Sequence, residues 1–234
     1  MKSLVLSALA ATLVSADWYN NVPVPGKRPA FVTGSAKQGI DFEIVYDLMC
    51  SDSAYLDPYF QQFLNMTWNV TNDLVKNSVK VSYTFLPLPY HHEVWIPHLL
   101  VPWFLDQCDF SQNCLFPQYL QYCFANQDSI LDAKDSSFNQ IVANWTSQIA
   151  TAFSLNQTEL LQVYNEAKDT HDSEWRTRLM YKWNTHHHVS GTPFGFVNGI
   201  LMENFPESTK EWMDLLTTVY NSQYRPPKAS STDL

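Results

Sequence analysis

Apolar residues Phe42, Ile44, Tyr46 and Leu48 alternate with Glu43, Val45 and Asp47, so residues 41–48 read as a β-strand. After Cys50 the spacing turns helical. Tyr55, Tyr59, Phe60, Phe63 and Leu64 recur along a helix placed at residues 54–68, with Pro58 in its first turn, where proline is tolerated. Alternation returns at Val79, Val81, Tyr83 and Phe85, and Leu86-Pro87-Leu88-Pro89-Tyr90 ends that strand. Strand, helix, strand over this length implies a right-handed βαβ unit with parallel strands. Residues 30–33, behind the proline-rich entry at 22–29, form a short edge-strand candidate.

From Val94 to His188 only helical patterns occur. Trp95, Leu99, Leu100, Trp103 and Phe104 share one face, and Phe138, Ile141, Val142, Trp145, Ile149 and Phe153 share another. Further helix starts fall at 158–161 and 172–175. Successive helices cannot lie within a sheet, so 94–188 reads as an inserted helical subdomain. Strand character resumes at Phe194-Gly195-Phe196-Val197, turns at Asn198-Gly199 and continues through Ile200-Leu201-Met202, a hairpin signature. Ser208-Thr209-Lys210-Glu211 has the form of a capping box opening a last helix, whose apolar side carries Trp212, Leu215, Leu216, Val219 and Tyr220. The divisions expected are therefore 17–93, 94–188 and 189–224, with a polar, disordered tail at 225–234.

Residues 1–16 have one positive charge, a short apolar core and the ending Val14-Ser15-Ala16, the form of a secretory signal peptide. Four glycosylation sequons, at Asn65, Asn69, Asn144 and Asn156, agree with a secreted glycoprotein. The C-terminus is not a retention tetrapeptide, which leaves extracellular, vacuolar and lysosomal destinations open. A formal charge of −9 argues against nucleic acid and anionic membranes as partners, and no later stretch is apolar enough to span a bilayer. Aromatic residues make up 15% of the chain, enough to fill a core and line a groove. No cofactor signature is present, and the sequence assigns no oligomeric state.

Candidate chemistry centres on Cys50-Ser51-Asp52-Ser53, at the strand-to-helix turn. Unpaired N–H groups at a helix start draw negative charge to a sulfur, whereas Asp52 repels it or serves as a helix-start residue. Ser53 stands where a two-cysteine redox site carries its second thiol, and is placed to donate a hydrogen bond to the sulfur. Cys108 and Cys114 flank a loop-like stretch and are the favoured disulfide in an oxidising compartment, with Cys123 a buried thiol. Four cysteines still allow three full pairings, one joining Cys50 to Cys123. Histidines cluster at His91-His92, with His98 nearby, and at His186-His187-His188. Strand order brings both clusters toward the Cys50 edge, so His91 and His188 are candidate modulators of the thiolate. A zinc or copper site with Cys50 is the further reading the histidines raise.

Three signals together resemble the DsbA-like branch of the thioredoxin fold: Cys50-x-x-Ser53 after the strand, Gly191-Thr192-Pro193 before the hairpin, and Phe196-Val197-Asn198-Gly199 within it. Cys50-Ser51-Asp52-Ser53 and Leu86-Pro87-Leu88-Pro89-Tyr90-His91 are similar to a secreted eukaryotic subgroup of that branch. The resemblance spans residues 41–220. It implies an α/β thioredoxin-like fold (βαβ–ββα) with an all-helical insertion, a cis Pro193, and Thr192 beside the Cys50 sulfur. It also implies a groove at Thr192-Pro193 that binds extended polypeptide by strand addition. With Ser53 unable to resolve a mixed disulfide, an ordinary two-electron cycle is excluded at this motif. Two functions follow. One is a single-thiol oxidoreductase or isomerase acting on a polypeptide thiol or disulfide client; the other is a non-enzymatic peptide- or glycoprotein-binding module.

Overall fold

The computed structural model describes residues 29–108 and 114–223. The expected signal segment 1–16 and tail 225–234 lie outside these residues. A five-stranded sheet has the order β1-β5-β2-β6-β7, from Phe31–Gly34 (β1), Asp41–Tyr46 (β2), Lys80–Phe85 (β5), Phe194–Val197 (β6) and Ile200–Leu201 (β7). β2 and β5 are parallel, with Ile44 opposite Tyr83, and every other pairing is antiparallel. The βαβ unit, the edge strand and the hairpin thus stand as the sequence pattern implies. The hairpin turn needs left-handed backbone at two successive residues, and Asn198 (φ 52°) and Gly199 (φ 79°) supply it.

Helix α1 (Ser51–Leu64) starts three residues earlier than its periodicity suggests and ends four earlier. Pro58 consequently lies at its eighth position rather than in the first turn. The ring sits on the exposed side and displaces no core packing. Trp68 leaves the helix for β3 (Thr67–Trp68), which pairs with β4 (Asp73–Leu74) ahead of a one-turn helix α2 (Val75–Ser78). That excursion has no counterpart in the sequence reading.

Between β5 and β6 the described residues form helices only: α3 (Trp95–Asp106), α4 (Phe116–Ala125), α5 (Asp128–Leu131), α6 (Phe138–Phe153), α7 (Gln157–Gln162) and α8 (Ser173–His186). Two helix starts are capped differently from the pattern expected. At α8 it is Asp169 that accepts from the Ser173 N–H at 2.6 Å, while Asp172 makes no cap bond. At the last helix, α9 (Thr209–Gln223), Ser208 Oγ accepts from Glu211 N, but the Glu211 carboxylate turns to the Glu207 N–H, so the box is half formed.

The two faces of the sheet differ in chemistry. Phe42, Ile44 and Tyr46 of β2 pack with Val81, Tyr83 and Phe85 of β5 into an aromatic core. Phe42 meets Phe60, Phe63 and Trp212 edge-on at 5.8–6.3 Å, each such pair adding about 0.5–1.5 kcal/mol beyond its burial. The opposite face is polar beneath α8. Trp183 Nε1 donates to Glu43 Oε1 at 2.8 Å, and Asn184 Nδ2 donates to Thr84 Oγ1 at 3.1 Å and to Phe85 O at 2.9 Å. β2 is covered on both faces, and Glu43 and Asp47 are buried despite their charge.

Asp57 of α1 is also wholly buried, accepting from Gln61 Nε2 at 3.0 Å and Gln121 Nε2 at 2.6 Å. Burial raises its pKa above the ordinary carboxylate value, and the two amides only partly oppose this. The folded state therefore holds this proton more tightly than the unfolded chain. The stabilisation is fully present below the unfolded value of 3.8 and is lost as pH rises through the folded one. The Tm of the wild type relative to Asp57→Asn should rise as pH falls from 7 toward 4. Parallel Tm–pH curves would contradict this.

Candidate active site at the start of helix α1

Cys50 is the N-cap of α1, with extended backbone (φ −82°, ψ 122°) and no side-chain cap; its carbonyl accepts the first helical bond, from Ala54 N, at 3.1 Å. The sulfur therefore lies at the open, electropositive end of a fourteen-residue helix. Sγ contacts the carbonyl oxygen of Thr192 at 3.3 Å, and the Thr192–Pro193 peptide is cis. Cys50 is 6% exposed, so the thiol meets solvent only along one edge. Around it Val45, Leu86, Leu88, Val189 and Phe196 form a small apolar cluster bordered by Tyr181 and Phe194.

The motif's other members are placed unequally. Ser53 is fully buried, and its hydroxyl makes no hydrogen bond, to the sulfur or to any other described group, so the expected thiolate contact is not formed. Thr192 Oγ1 is likewise buried and unpartnered. Asp52 is exposed in the first turn and is not the helix-start residue, because Cys50 itself holds that position.

Below the thiol sits a group that sequence reading passed over. Asp47 is completely buried; Oδ1 accepts from Met49 N at 2.8 Å, and Oδ2 from Leu88 N at 3.0 Å and His91 Nδ1 at 2.6 Å. His91 is thus tied to Asp47, and no hydrogen bond or ion pair joins it to Cys50 among the described residues. His98 approaches the same carboxylate at 3.6 Å, but its Nε2 accepts from Leu48 N and its Nδ1 donates to Val94 O. Two acceptors do not attract, so His98 is neutral here, and burial lowers its pKa below the usual imidazole value. Gln127, also unanticipated, donates its Nε2 to the carbonyls of Leu48 (3.1 Å) and Cys50 (2.9 Å).

Tyr90 lies edge-on to the His91 ring at 4.8 Å; partial desolvation, then the charges of Cys50, Asp47 and Asp52, raise its hydroxyl above the usual tyrosine value. His188 is exposed, with a left-handed backbone (φ 59°), and only its neighbour Val189 enters the thiol cluster. The described residues contain no group of three or more His, Cys, Asp or Glu side chains placed to hold a metal ion.

Away from this edge, Cys108 and Cys114 form a disulfide, and Cys50 and Cys123 are free. Burial pushes the Cys123 thiol far above its ordinary value, so it stays protonated and unreactive. Asn65, Asn69, Asn144 and Asn156 are all exposed. Asn65, at the C-cap of α1, stands about 20 Å from Cys50 along the helix. Asn156 caps α7 by accepting from Thr158 N through its oxygen, while its exposed amide nitrogen donates to Glu159 Oε1 at 3.4 Å.

No family model matches the sequence, and no curated protein matches it. Solved structures do match. A putative protein-disulfide isomerase from Pseudomonas syringae aligns at a TM-score of 0.59 and 12% identity, over 79% of this chain and 96% of its own. Oxidised BdbD from Bacillus subtilis aligns at 0.59 and 13%, over 84% and 96%. MdbA, a thiol-disulfide oxidoreductase from Corynebacterium diphtheriae, aligns at 0.56 and 12%, over 86% and 99%. Likeness of shape at such low identity speaks to architecture alone. Together with the β1-β5-β2-β6-β7 sheet, the helical run between β5 and β6, and the cis-proline loop against Cys50, it establishes that this chain has the thioredoxin fold in its DsbA-like form.

Proposed function

We propose that this protein is a secretory-pathway thiol-disulfide protein working through one sulfur, as an isomerase or a client-retaining mixed-disulfide partner. The observation that carries this reading is Cys50 Sγ at a helix N-terminus, 3.3 Å from the carbonyl of a cis-proline loop, with Ser53 in place of a resolving thiol. The Cys50 thiolate attacks one sulfur of a client disulfide; a Cys50–client bond forms and a client thiolate leaves. A second client thiolate then attacks the bonded client sulfur, forms a new client disulfide and returns Cys50 as thiolate. No electrons are gained or lost overall. Cys50 is the nucleophile, and the Thr192-Pro193 segment is the strand that positions extended polypeptide.

The secretory assignment rests on the leader-like residues 1–16, four exposed sequons and the Cys108–Cys114 disulfide. No helix among the described residues is long and apolar enough to cross a membrane. The decisive test is capture of disulfide-linked adducts from acid-quenched, alkylated secretory extracts. Adducts are expected with the wild type and absent with Cys50→Ala; identical patterns would sink thiol chemistry. A second reading, peptide binding without covalent exchange, is favoured by the 6% exposure of Cys50. It predicts equal peptide affinity in wild type and Cys50→Ala with no adduct in either.

A further inference from the structure

An open cleft of about 450 Å³ between α3, the start of α6 and α8 has no part in the thiol chemistry above. Its apolar walls are Trp95, Leu99, Phe138 and Tyr181. The Trp95 and Tyr181 rings lie 6.2 Å apart, and Phe138 stands 43% exposed in the first turn of α6. An exposed phenylalanine beside two part-buried rings makes an apolar patch of the kind that marks a binding surface. The volume suits one large side chain and its neighbours.

The rim is polar and selective. Glu174, Arg178 and Lys182 follow one another at four-residue steps and so share one face of α8. Glu174 neutralises Arg178 at 2.8 Å. Lys182 is exposed, and among the described residues no carboxylate pairs with it. On a chain of net charge −9 the cleft therefore presents an unmatched cation beside an aromatic trough. Tyr181 belongs to two neighbourhoods, lining the cleft and packing against the apolar cluster that holds Cys50. One tyrosine is thus shared by the cleft and the apolar surroundings of the thiol.

We propose that this cleft binds an acidic, aromatic-bearing segment of the client polypeptide. An aromatic side chain enters between Trp95, Phe138 and Tyr181, and an adjacent Asp or Glu pairs with Lys182. This deepens the thiol reading by naming the client's chemistry, and rests on it only for where the rest of the segment runs. A glycan would stack on the rings without needing the cation.

The test uses cysteine-free octapeptides identical except at two positions, Phe-Asp, Phe-Asn, Phe-Lys and Ser-Asp, titrated against the full chain by calorimetry and tryptophan fluorescence. Phe-Asp should bind about tenfold more tightly than Phe-Lys or Ser-Asp at low salt, with Phe-Asn between them. Lys182→Glu should reverse the Asp-over-Lys order, and Phe138→Ser should remove the advantage of phenylalanine; both positions are exposed, so the fold is retained. Equal binding of all four peptides, or preferences untouched by both variants, would overturn the proposal. So would competition by a hexosamine oligosaccharide in their place, or a dimer abolished by Phe138→Ser. The same peptides carrying a disulfide separate the two readings. Cleft binding without adducts at Cys50 leaves this inference standing and removes the thiol reading, whereas adducts without sequence preference do the reverse.

Discussion

On the proposed single-thiol reading, replacing Ser53 with cysteine is expected to turn retention of a client into its release. The side chain is fully buried, its hydroxyl has no partner, and it lies three residues beyond Cys50 on the same side of the helix. Ser53→Cys removes a buried orphan hydroxyl that costs about 1–3 kcal/mol, so stability should hold or rise. The new thiol then attacks the Cys50 mixed disulfide from within. Well-oriented intramolecular reactions reach effective concentrations of about 10⁵ M or more, so the adduct lifetime should shorten by at least about 10²-fold against millimolar external thiol. The products would be free client thiol and an internal disulfide between Cys50 and the introduced sulfur, measurable by quenched mass spectrometry and by insulin reduction with dithiothreitol. A lifetime equal to that of the wild type would show that position 53 is not within reach of the sulfur.

The second large effect concerns Asp47. Its carboxylate holds the loop before Cys50 through Met49 N, the loop after β5 through Leu88 N, and the turn before α3 through His91. Asp47→Ala strands two buried backbone donors and an imidazole in one step, an expected cost of about 3–5 kcal/mol. For a chain of this length that corresponds to a fall in Tm of roughly 6–20 °C. Asp47→Asn should lose less, since one amide oxygen still accepts while the amide nitrogen faces donors. Asp52→Ala, at an exposed site with no hydrogen bond, should stay within about 0.5 kcal/mol of wild type. Equal melting of Asp47→Ala and Asp52→Ala would show that the buried carboxylate is not a tie.

The sequence made some of this legible and concealed the rest for definite reasons. β2, β5 and the Asn198-Gly199 hairpin were readable because alternation and a left-handed turn are properties of neighbouring residues. β3, β4 and α2, at two to four residues each, are too short to show any period. The start of α1 was misplaced because Ser51-Asp52-Ser53 has turn composition, whereas Cys50 caps the helix through its main chain alone. Asp47 looked like the ordinary polar half of an alternating strand. Its burial follows from β2 being central and covered on both faces, which depends on elements far along the chain. The one local hint was a carboxylate three residues before the candidate nucleophile. Lone Gln127, 77 positions from Cys50, carried no signal at all.

That glutamine joins the two halves of the molecule. One amide nitrogen, carried where α4 gives way to α5, is shared by the carbonyls of Leu48 and Cys50. The backbone that presents the sulfur is therefore braced by the helical insertion as well as by the sheet. Because both acceptors are main-chain carbonyls, the brace depends on the side chain at position 127 and not on those at 48 and 50. A graft of the Cys50 motif onto another thioredoxin scaffold would carry the thiol without its brace.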